Sequence, residues 1–501
     1  MPSIDLALLL GSIVALVAIF AARLGSRLGL PALLLFLFLF LGMALGNNGL
    51  GLAFSDASLA HGLGFAALVL ILAEGGLTTK WANIRPALGV AGLLATVGIG
   101  VSIGLMTLFG LYVLDLSFPV ALLLGAVTAP TDSAAVFAVL RGVPLPSRVR
   151  AILEAESGLN DAPTVLLVAA ASELALGVAP HGGALGLLGM VLLELVGGLA
   201  LGAALGVLGV IALRTIALPS SGLYPLAALS WAVATYGIGV LTHVSGFAAV
   251  YVCALALGNG KLPHRHATRS FAEGVGWIAQ IGLFVMLGLL ADPGRVSMHS
   301  VAVGITAGLF LTFVARPTSV TVSTVPFGIP YREQVFLSWA GLRGAVPIIL
   351  ATVPMSLAVP GSDQLFDVVL VFVIVFTSLQ GPTLPWVGRK LGLADPNAAH
   401  DVDIEAAPLD KISADLLQVR IPEGSMLSGV RVRELRMPRN AVVSLVIREG
   451  HSFAPHGDTR LRTDDELLIV TPEHHRAEVE RRLTEIGRAG RMARWYGSQT
   501  D

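Results

Sequence analysis

Apolar runs of about 20 residues, each long enough to cross a bilayer as a helix, recur from Leu6 to Val387 of this chain. A soluble fold would have to hide every one of them from water, so the pattern points to a membrane bundle. The composition agrees. Of the 501 residues, 55% are hydrophobic and 13% charged, whereas soluble domains carry about 25% charged residues. Mean hydropathy is +0.80, so the excess is apolar and not merely uncharged. The net charge of −1 says little about partners, because the charges are unevenly placed. The one cysteine, Cys253, lies in an apolar stretch and excludes an intramolecular disulfide. Leu6 to Ala22 has no basic residue before it and Arg23 and Arg27 after it. It reads as a first membrane helix that starts outside, not as a cleaved signal peptide.

Thirteen spans are expected, at 4–22, 30–46, 59–78, 87–113, 118–140, 150–176, 186–213, 223–241, 244–260, 271–291, 299–318, 333–358 and 366–388. The connections alternate in basic charge. One side carries Arg23 and Arg27, Lys80 and Arg85, Arg141, Arg148 and Arg150, and Arg214. The same side carries Lys261, Arg265 and Arg269, then Arg332, then Arg389 and Lys390. The other side has only Arg295, with Asp5, Asp56, Asp115, Asp292 and Asp363. The positive-inside rule places the N-terminus outside and the C-terminus in the cytoplasm, which an odd number of spans requires.

The composition changes after residue 390. Residues 391–412 form a polar, partly acidic linker, and 413–490 have the pattern of a small α/β unit, followed by a polar tail at 491–501. Leu417, Val419 and Ile421 alternate with polar residues as in a half-buried strand. Val442–Ile447 and Glu466–Thr471 are further strands, and 472–490 reads as a helix with Thr471 as its N-cap. His474 and His475 fit a solvated helix face better than a metal site.

Ionisable groups inside a span are costly and become functional hypotheses by default. The fifth span, LLLGAVTAPTDSAAVFAVL, carries Asp132 near its middle, with Thr128, Thr131 and Ser133 around it. Pro130 removes a helical hydrogen bond there. A helix broken at membrane depth is tolerated where it lines a cavity, and its freed carbonyls can bind cations. In the sixth span, ILEAESGLNDAPTVLLV, Glu156 and Asn160 share one face, and Ser157 and Asp161 the neighbouring one. These are oxygen ligands of the kind hard cations prefer. The bland alternative is that the acids only tie helices together, and for Glu156 a structural role beside an arginine is as good a reading. Arg343 lies between Gly341 and Gly344 in the twelfth span, with Pro347 after it. Arginine keeps its charge at depth and must meet a carboxylate or carbonyls. Arg316, before Pro317, is a second candidate partner, or else an anchor at the membrane edge. The fifth and twelfth spans are both interrupted by Gly and Pro and lie seven apart, so they run in opposite directions. That is the mark of an inverted repeat with a site between its halves.

The motifs TAPTD at 128–132, ESGLND at 156–161 and WAGLRG at 339–344 resemble those of the NhaP-type cation:proton antiporters, relatives of the sodium/proton exchangers. The resemblance covers about 385 residues. It implies an all-α polytopic fold of thirteen helices, two of them discontinuous and crossing, in a homodimer of the cell inner membrane. It implies that Asp161 binds proton or cation by turns, and that Asp132, Ser157 and the Thr131 carbonyl are further ligands. Asn160 holds the position that makes exchange electroneutral, and Glu156 forms a structural ion pair with Arg343 or Arg316. Pro130, Gly341, Gly344 and Pro347 mark the helix breaks. The tail resembles the TrkA-C (RCK C-terminal) module through Leu427–Ser–Gly429, Val446–Gly450, Pro455–Asp458 and Asp464–Leu467, with Val430 in place of a usual lysine. That module implies a nucleotide-type regulatory ligand, or only a dimer contact, and it leans the cation towards potassium.

The expected function is therefore secondary antiport of a monovalent cation against protons, serving pH homeostasis. No cofactor and no nucleic-acid polymer is expected. Sodium or lithium in place of potassium is the first alternative. A potassium channel or uniporter gated by the tail is more distant: a channel needs a symmetric carbonyl filter, and the chain has no TVGYG, its nearest run being TVGIG at 96–100 within the fourth expected span. An enzyme is least favoured: the chain has no HExxH, Ser157 does not stand in a GxSxG run, and no histidine lies at helical spacing from it.

Overall fold

The computed structural model describes residues 11–20, 31–46, 56–132, 145–178, 183–393, 403–409, 414–422, 424–438, 440–472 and 475–489, with four isolated residues besides. The chain divides into two compact units, Met1–Leu393 and Ala394–Asp501.

The first unit is helical. Its helices are α1 (Gly11–Phe20), α2 (Pro31–Leu45), α3 (Ala57–Thr78), α4 (Trp81–Tyr112), α5 (Phe118–Thr128), α6 (Ser147–Ala175) and α7 (Gly183–Thr215). They continue as α8 (Leu223–Leu241), α9 (Gly246–Asn259), α10 (Arg265–Leu290), α11 (Met298–Phe327), α12 (Tyr331–Trp339), α13 (Ala345–Ser356) and α14 (Ser362–Lys390). Among the described residues, seven helices are long and apolar enough to cross a membrane. Leu188, Met190, Leu192, Leu193 and Val196 on α7 are exposed. Side chains of that kind suit an apolar surrounding such as lipid tails, which solvate them as well as a protein core would.

Caps and small residues set the elements. Asp56 caps α3 by accepting the Leu59 N–H at 2.9 Å, and Ser245 caps α9 by accepting the Ala248 N–H at 3.3 Å. Helices α2 and α10 touch backbone to backbone. A Cβ on Gly42 would lie 2.1 Å from the Val285 carbonyl oxygen, and one on Gly288 2.1 Å from that of Leu39. Only glycine permits that approach.

Four of the predicted spans depart from regular helical geometry. Helix α5 stops at Thr128, where Pro130 cannot continue the ladder, and the chain is not helical from Pro130 through Asp132. Residues 133–140 of the predicted fifth span, Ser133 among them, lie outside the described residues. The twelfth predicted span is two helices: α12 ends at Trp339, residues 341–344 are not helical, and α13 begins at Ala345. Pro347 sits in the first turn of α13 and not in the break. Its missing N–H falls among the first-turn donors that have no helical partner, so it starts the helix instead of interrupting it. Helix α4 contains a π turn at Leu94–Gly98 and α11 another at Leu311–Ala315, directly before Arg316.

Among the described residues, the second unit is a five-stranded antiparallel sheet with one α-helix. Its strands are β1 (Asp403–Leu409), β2 (Ala414–Arg420), β3 (Val442–Arg448), β4 (His451–Phe453) and β5 (Glu466–Pro472), in the order β1-β2-β5-β3-β4. Helix α15 (Arg476–Ala489) buries Val479, Leu483 and Ile486 in the core with Leu417, Val419 and Ile469. Two expectations are corrected here. Thr471 is not a helix cap: it pairs with Asp415 inside the sheet and is fully buried, so the helix starts later. Residues 403–409 of the expected linker are a strand that pairs with β2 from Asp403↔Arg420 to Leu409↔Ala414. Its Pro408 is tolerated because β1 is an edge. His475 pairs with Glu478 at 3.1 Å on the helix surface, and His474 lies outside the described residues.

Candidate functional site

The two broken helices meet at Asp132. Its backbone N–H donates to the Leu342 carbonyl at 2.9 Å. Its carboxylate Oδ2 accepts the N–H of Ala345 at 2.8 Å. Asp132 thus closes the gap in the α12–α13 chain and sits at the N-terminus of α13, where the helix dipole favours a negative charge. Gly344 is required there, because a Cβ would lie 1.9 Å from Asp132 Oδ2.

Helix α6 brings the second carboxylate. Asp161 is 2% exposed, and its Oδ1 has no hydrogen-bond partner among the described residues. Asp132 and Asp161 line one narrow pocket with Ala345 and Val346 of α13. Leu68 and Ile71 of α3 and Gln280, Leu283 and Phe284 of α10 complete it. The pocket therefore has a wall of two carboxylates and a mainly apolar wall from two other helices.

The polar residues predicted around Asp161 gather at the same place. Asn160 donates from Nδ2 to the Thr131 carbonyl at 3.2 Å and to Thr131 Oγ1 at 2.7 Å. The Thr131 and Ser157 hydroxyls lie 3.3 Å apart. Asn160 thereby fixes the unwound segment of α5 against α6, while its own Oδ1 has no partner among the described residues. Thr164 donates to the Asn160 carbonyl at 2.5 Å, and Pro163 inside α6 removes one backbone donor from the turn that carries Asp161. The oxygens of Asp132, Asp161, Ser157 and Thr131 form a donor set suited to a hard monovalent cation.

Beside this cluster Glu156 takes a bidentate ion pair with Arg316, at 2.5 Å to Nη1 and 2.9 Å to Nη2. Both are nearly fully buried, so of the two candidate partners it is Arg316 that binds Glu156, and Arg316 is no edge anchor. Arg316 Nη2 also reaches the Leu337 carbonyl at 3.4 Å. Arg343 is buried too, but its Nη1 donates only to the Gly341 carbonyl two residues away. Its own carbonyl accepts the Thr377 hydroxyl of α14.

Two ion pairs were missed by sequence reasoning. Arg148 at the start of α6 binds Glu333 at the start of α12, at 2.7 and 3.1 Å. Arg295, between α10 and α11, binds Asp367 of α14 at 2.9 and 3.1 Å and Asp363 at 3.3 Å. The hydrogen bond to Asp367 raises the Arg295 pKa above its ordinary value, against the opposing effect of burial. The charge alternation had marked Arg295 as the lone basic residue on its side, which was the available signal.

Residues 12–390 match the family described as sodium/hydrogen exchanger, transmembrane, and residues 416–484 match the TrkA-C domain. The K(+)/H(+) antiporter NhaP of Alkalimonas amylolytica is 34% identical over 479 residues, covering 94% of this chain and 82% of that protein. The K(+)/H(+) antiporter NhaP2 of Shewanella baltica strain OS223 is 31% identical over 497 residues, covering 99% and 86%. Among solved structures, the sodium proton antiporter MjNhaP1 from Methanocaldococcus jannaschii superposes with a TM-score of 0.65 at 20% identity. It covers 77% of this chain and 99% of that one, a likeness of fold.

Proposed function

This chain belongs to the sodium/hydrogen exchanger family and is a secondary active antiporter of monovalent cations and protons, and we propose that exchange takes place at Asp161 and Asp132 with potassium as the favoured cation. The observation that carries the site is the carboxylate of Asp161. It is buried, with one oxygen unpartnered among the described residues, and shares a pocket with Asp132 at the meeting of two interrupted helices. A charge held at that depth is expensive unless something neutralises it. A proton or a monovalent cation does so equally, so the two compete and only loaded forms cross. Asp132, Ser157 and the Thr131 carbonyl complete the cation's oxygen shell. Asn160 and the Glu156–Arg316 pair hold the shell in shape. The neutral amide at Asn160 leaves two site carboxylates instead of three, which favours one-for-one, electroneutral exchange.

Access alternates as the helices carrying the carboxylates slide along the α3 and α10 wall. Thirteen spans related by an inverted repeat fit this reading. The breaks in α5 and α12–α13 lie seven predicted spans apart, and so do the π turns of α4 and α11. The basic loops put the N-terminus outside and the C-terminus in the cytoplasm of a cell inner membrane, with the exchanger as a homodimer. Residues 1–390 form the exchange domain and 413–490 a TrkA-C-like regulatory domain for a nucleotide-type ligand. Potassium follows from the relatives named as potassium/proton antiporters that carry through the tail.

The test is exchange in proteoliposomes with potassium, sodium and lithium side by side. Asp161→Asn abolishes cation-driven proton movement for every ion, and normal exchange by that variant overturns the site. Faster exchange with sodium or lithium than with potassium replaces the favoured ion and leaves the site standing.

A further inference from the structure

The pocket that holds Asp132 and Asp161 has two unlike walls. Of the described residues that line it, only those two and Gln280 are polar. The ligands proposed for the cation, Asp132, Asp161, Ser157 and the Thr131 carbonyl, all come from α6 and from the unwound segment after α5. Gln280 belongs to α10, on the other wall. It is half-buried, and its amide forms no hydrogen bond among the described residues. A polar group left unpaired at membrane depth is costly. Its helix is held in place on both sides. A Cβ on Gly276, about one turn before it, would lie 2.8 Å from Glu74 Cγ of α3, and Gly288, about two turns after it, packs on the Leu39 carbonyl of α2. The cavity, about 10 Å³, has room for about one water molecule. An ion seated there touches both walls.

We infer that Gln280 is a specificity-determining residue: its amide carbonyl closes the cation's oxygen shell from the α10 side and favours potassium over lithium. This rests on the assignment of the site to Asp161 and Asp132. Carboxylates pull hardest on the ion that comes closest, so by themselves they favour small ions. A neutral carbonyl oxygen offers a weaker field, enough to replace the loosely held water of potassium but not the tightly held water of lithium. The proton needs no such ligand, because it forms a covalent O–H bond with the carboxylate. The amide therefore acts on the cation half of the exchange.

The experiment is ion binding to the purified full chain in detergent, at alkaline pH where protons do not compete. Potassium and lithium are titrated separately, with choline chloride holding the ionic strength constant. The unfolding temperature is read, since an ion that binds only the folded form raises it with occupancy. An oxygen withdrawn from a charged partner costs about tenfold in affinity. Gln280→Leu is expected to weaken potassium by about that factor and lithium by less than about threefold, so that the potassium-to-lithium affinity ratio falls. Gln280→Met, with a stem of the same length and no amide, should do the same. An unchanged ratio in both variants overturns the inference. A ratio that falls in only one of two folded variants also overturns it, because shape and not the amide is then responsible. If one variant fails to fold, the other decides; if neither folds, Gln280 is a packing residue and the inference falls. Asp161→Asn, run alongside, should remove the temperature rise with either ion. A rise that persists there shows the site itself misplaced, which is a failure separate from that of Gln280.

Discussion

Asp132 reaches across the gap between two helices and accepts the N–H of Ala345 at 2.8 Å, so one carboxylate both caps α13 and lines the pocket proposed for exchange. Gly344 is the residue that makes this contact possible. Gly344→Ala places a methyl 1.9 Å from the carboxylate oxygen, which forces Asp132 off the helix end. Exchange is expected to fall at least tenfold, the change that about 1.4 kcal/mol of distortion produces. Proton flux per reconstituted molecule measures it.

Glu156→Gln leaves Arg316 buried without its counter-charge. Breaking a buried pair from one side costs about 3–5 kcal/mol, whereas replacing both members with apolar residues costs much less. Glu156→Gln should therefore lower the thermal unfolding temperature in detergent more than the double variant Glu156→Leu with Arg316→Met. Equal losses would assign the pair to something other than holding α6 against α11.

Competition at one carboxylate has a defined pH signature. Below the pH at which the site protonates, the apparent KM for potassium should rise about tenfold per pH unit, a proton being displaced for each ion bound. Above it, KM should level off while the maximal rate comes to depend on proton supply. A KM independent of pH on the acid side would show separate sites.

Ser157 can offer a cation its hydroxyl oxygen, but it carries no charge for a proton to neutralise. Ser157→Ala is expected to raise the potassium KM several-fold at every pH and leave in place the pH below which KM begins to climb. A shift of that pH without a change in KM would move Ser157 out of the ligand shell.

In the tail, Asp465 is fully buried and accepts from Arg448 Nε and Nη2 at 2.8 and 2.7 Å and from the Arg462 N–H at 2.7 Å. Asp465→Asn cannot satisfy this fork, and the loss is about 3–5 kcal/mol. Limited proteolysis of the full chain should then cut within 414–489 first, with 56–132 still protected.

The polar inventory of the site was legible in the sequence because membrane depth makes polarity conspicuous. Asp132, Asp161, Ser157 and Asn160 stood out against apolar runs, and Pro130 and Gly341 announced the breaks. Which arginine meets Glu156 was not legible. Spacing along one helix says what shares its face, but not which neighbour lies opposite, and Arg316 and Arg343 differ only in where α11 and α12 pack. The pairs Arg148–Glu333 and Arg295–Asp367 escaped for a related reason. Each charge lies at a helix end, where charged residues are ordinary and carry no signal of a partner. Strand β1 escaped because an edge strand with Pro408 and acidic residues has the composition of a linker.

The π turn at Leu311–Ala315 ends where Arg316 begins. A π turn holds one residue more than an α turn, and each residue of an α-helix advances the side-chain direction by about 100°. The aim of Arg316 at Glu156 is thus a matter of phase. Recasting 311–315 as a regular α turn of the same length would straighten α11 and swing the guanidinium about a quarter turn away, whereas removing one residue as well would restore its phase. Every substitution on α11 could be conservative and the helix would still point its charge at the wrong neighbour. For this transporter, length between fixed points is as much a part of the site as the side chains that line it.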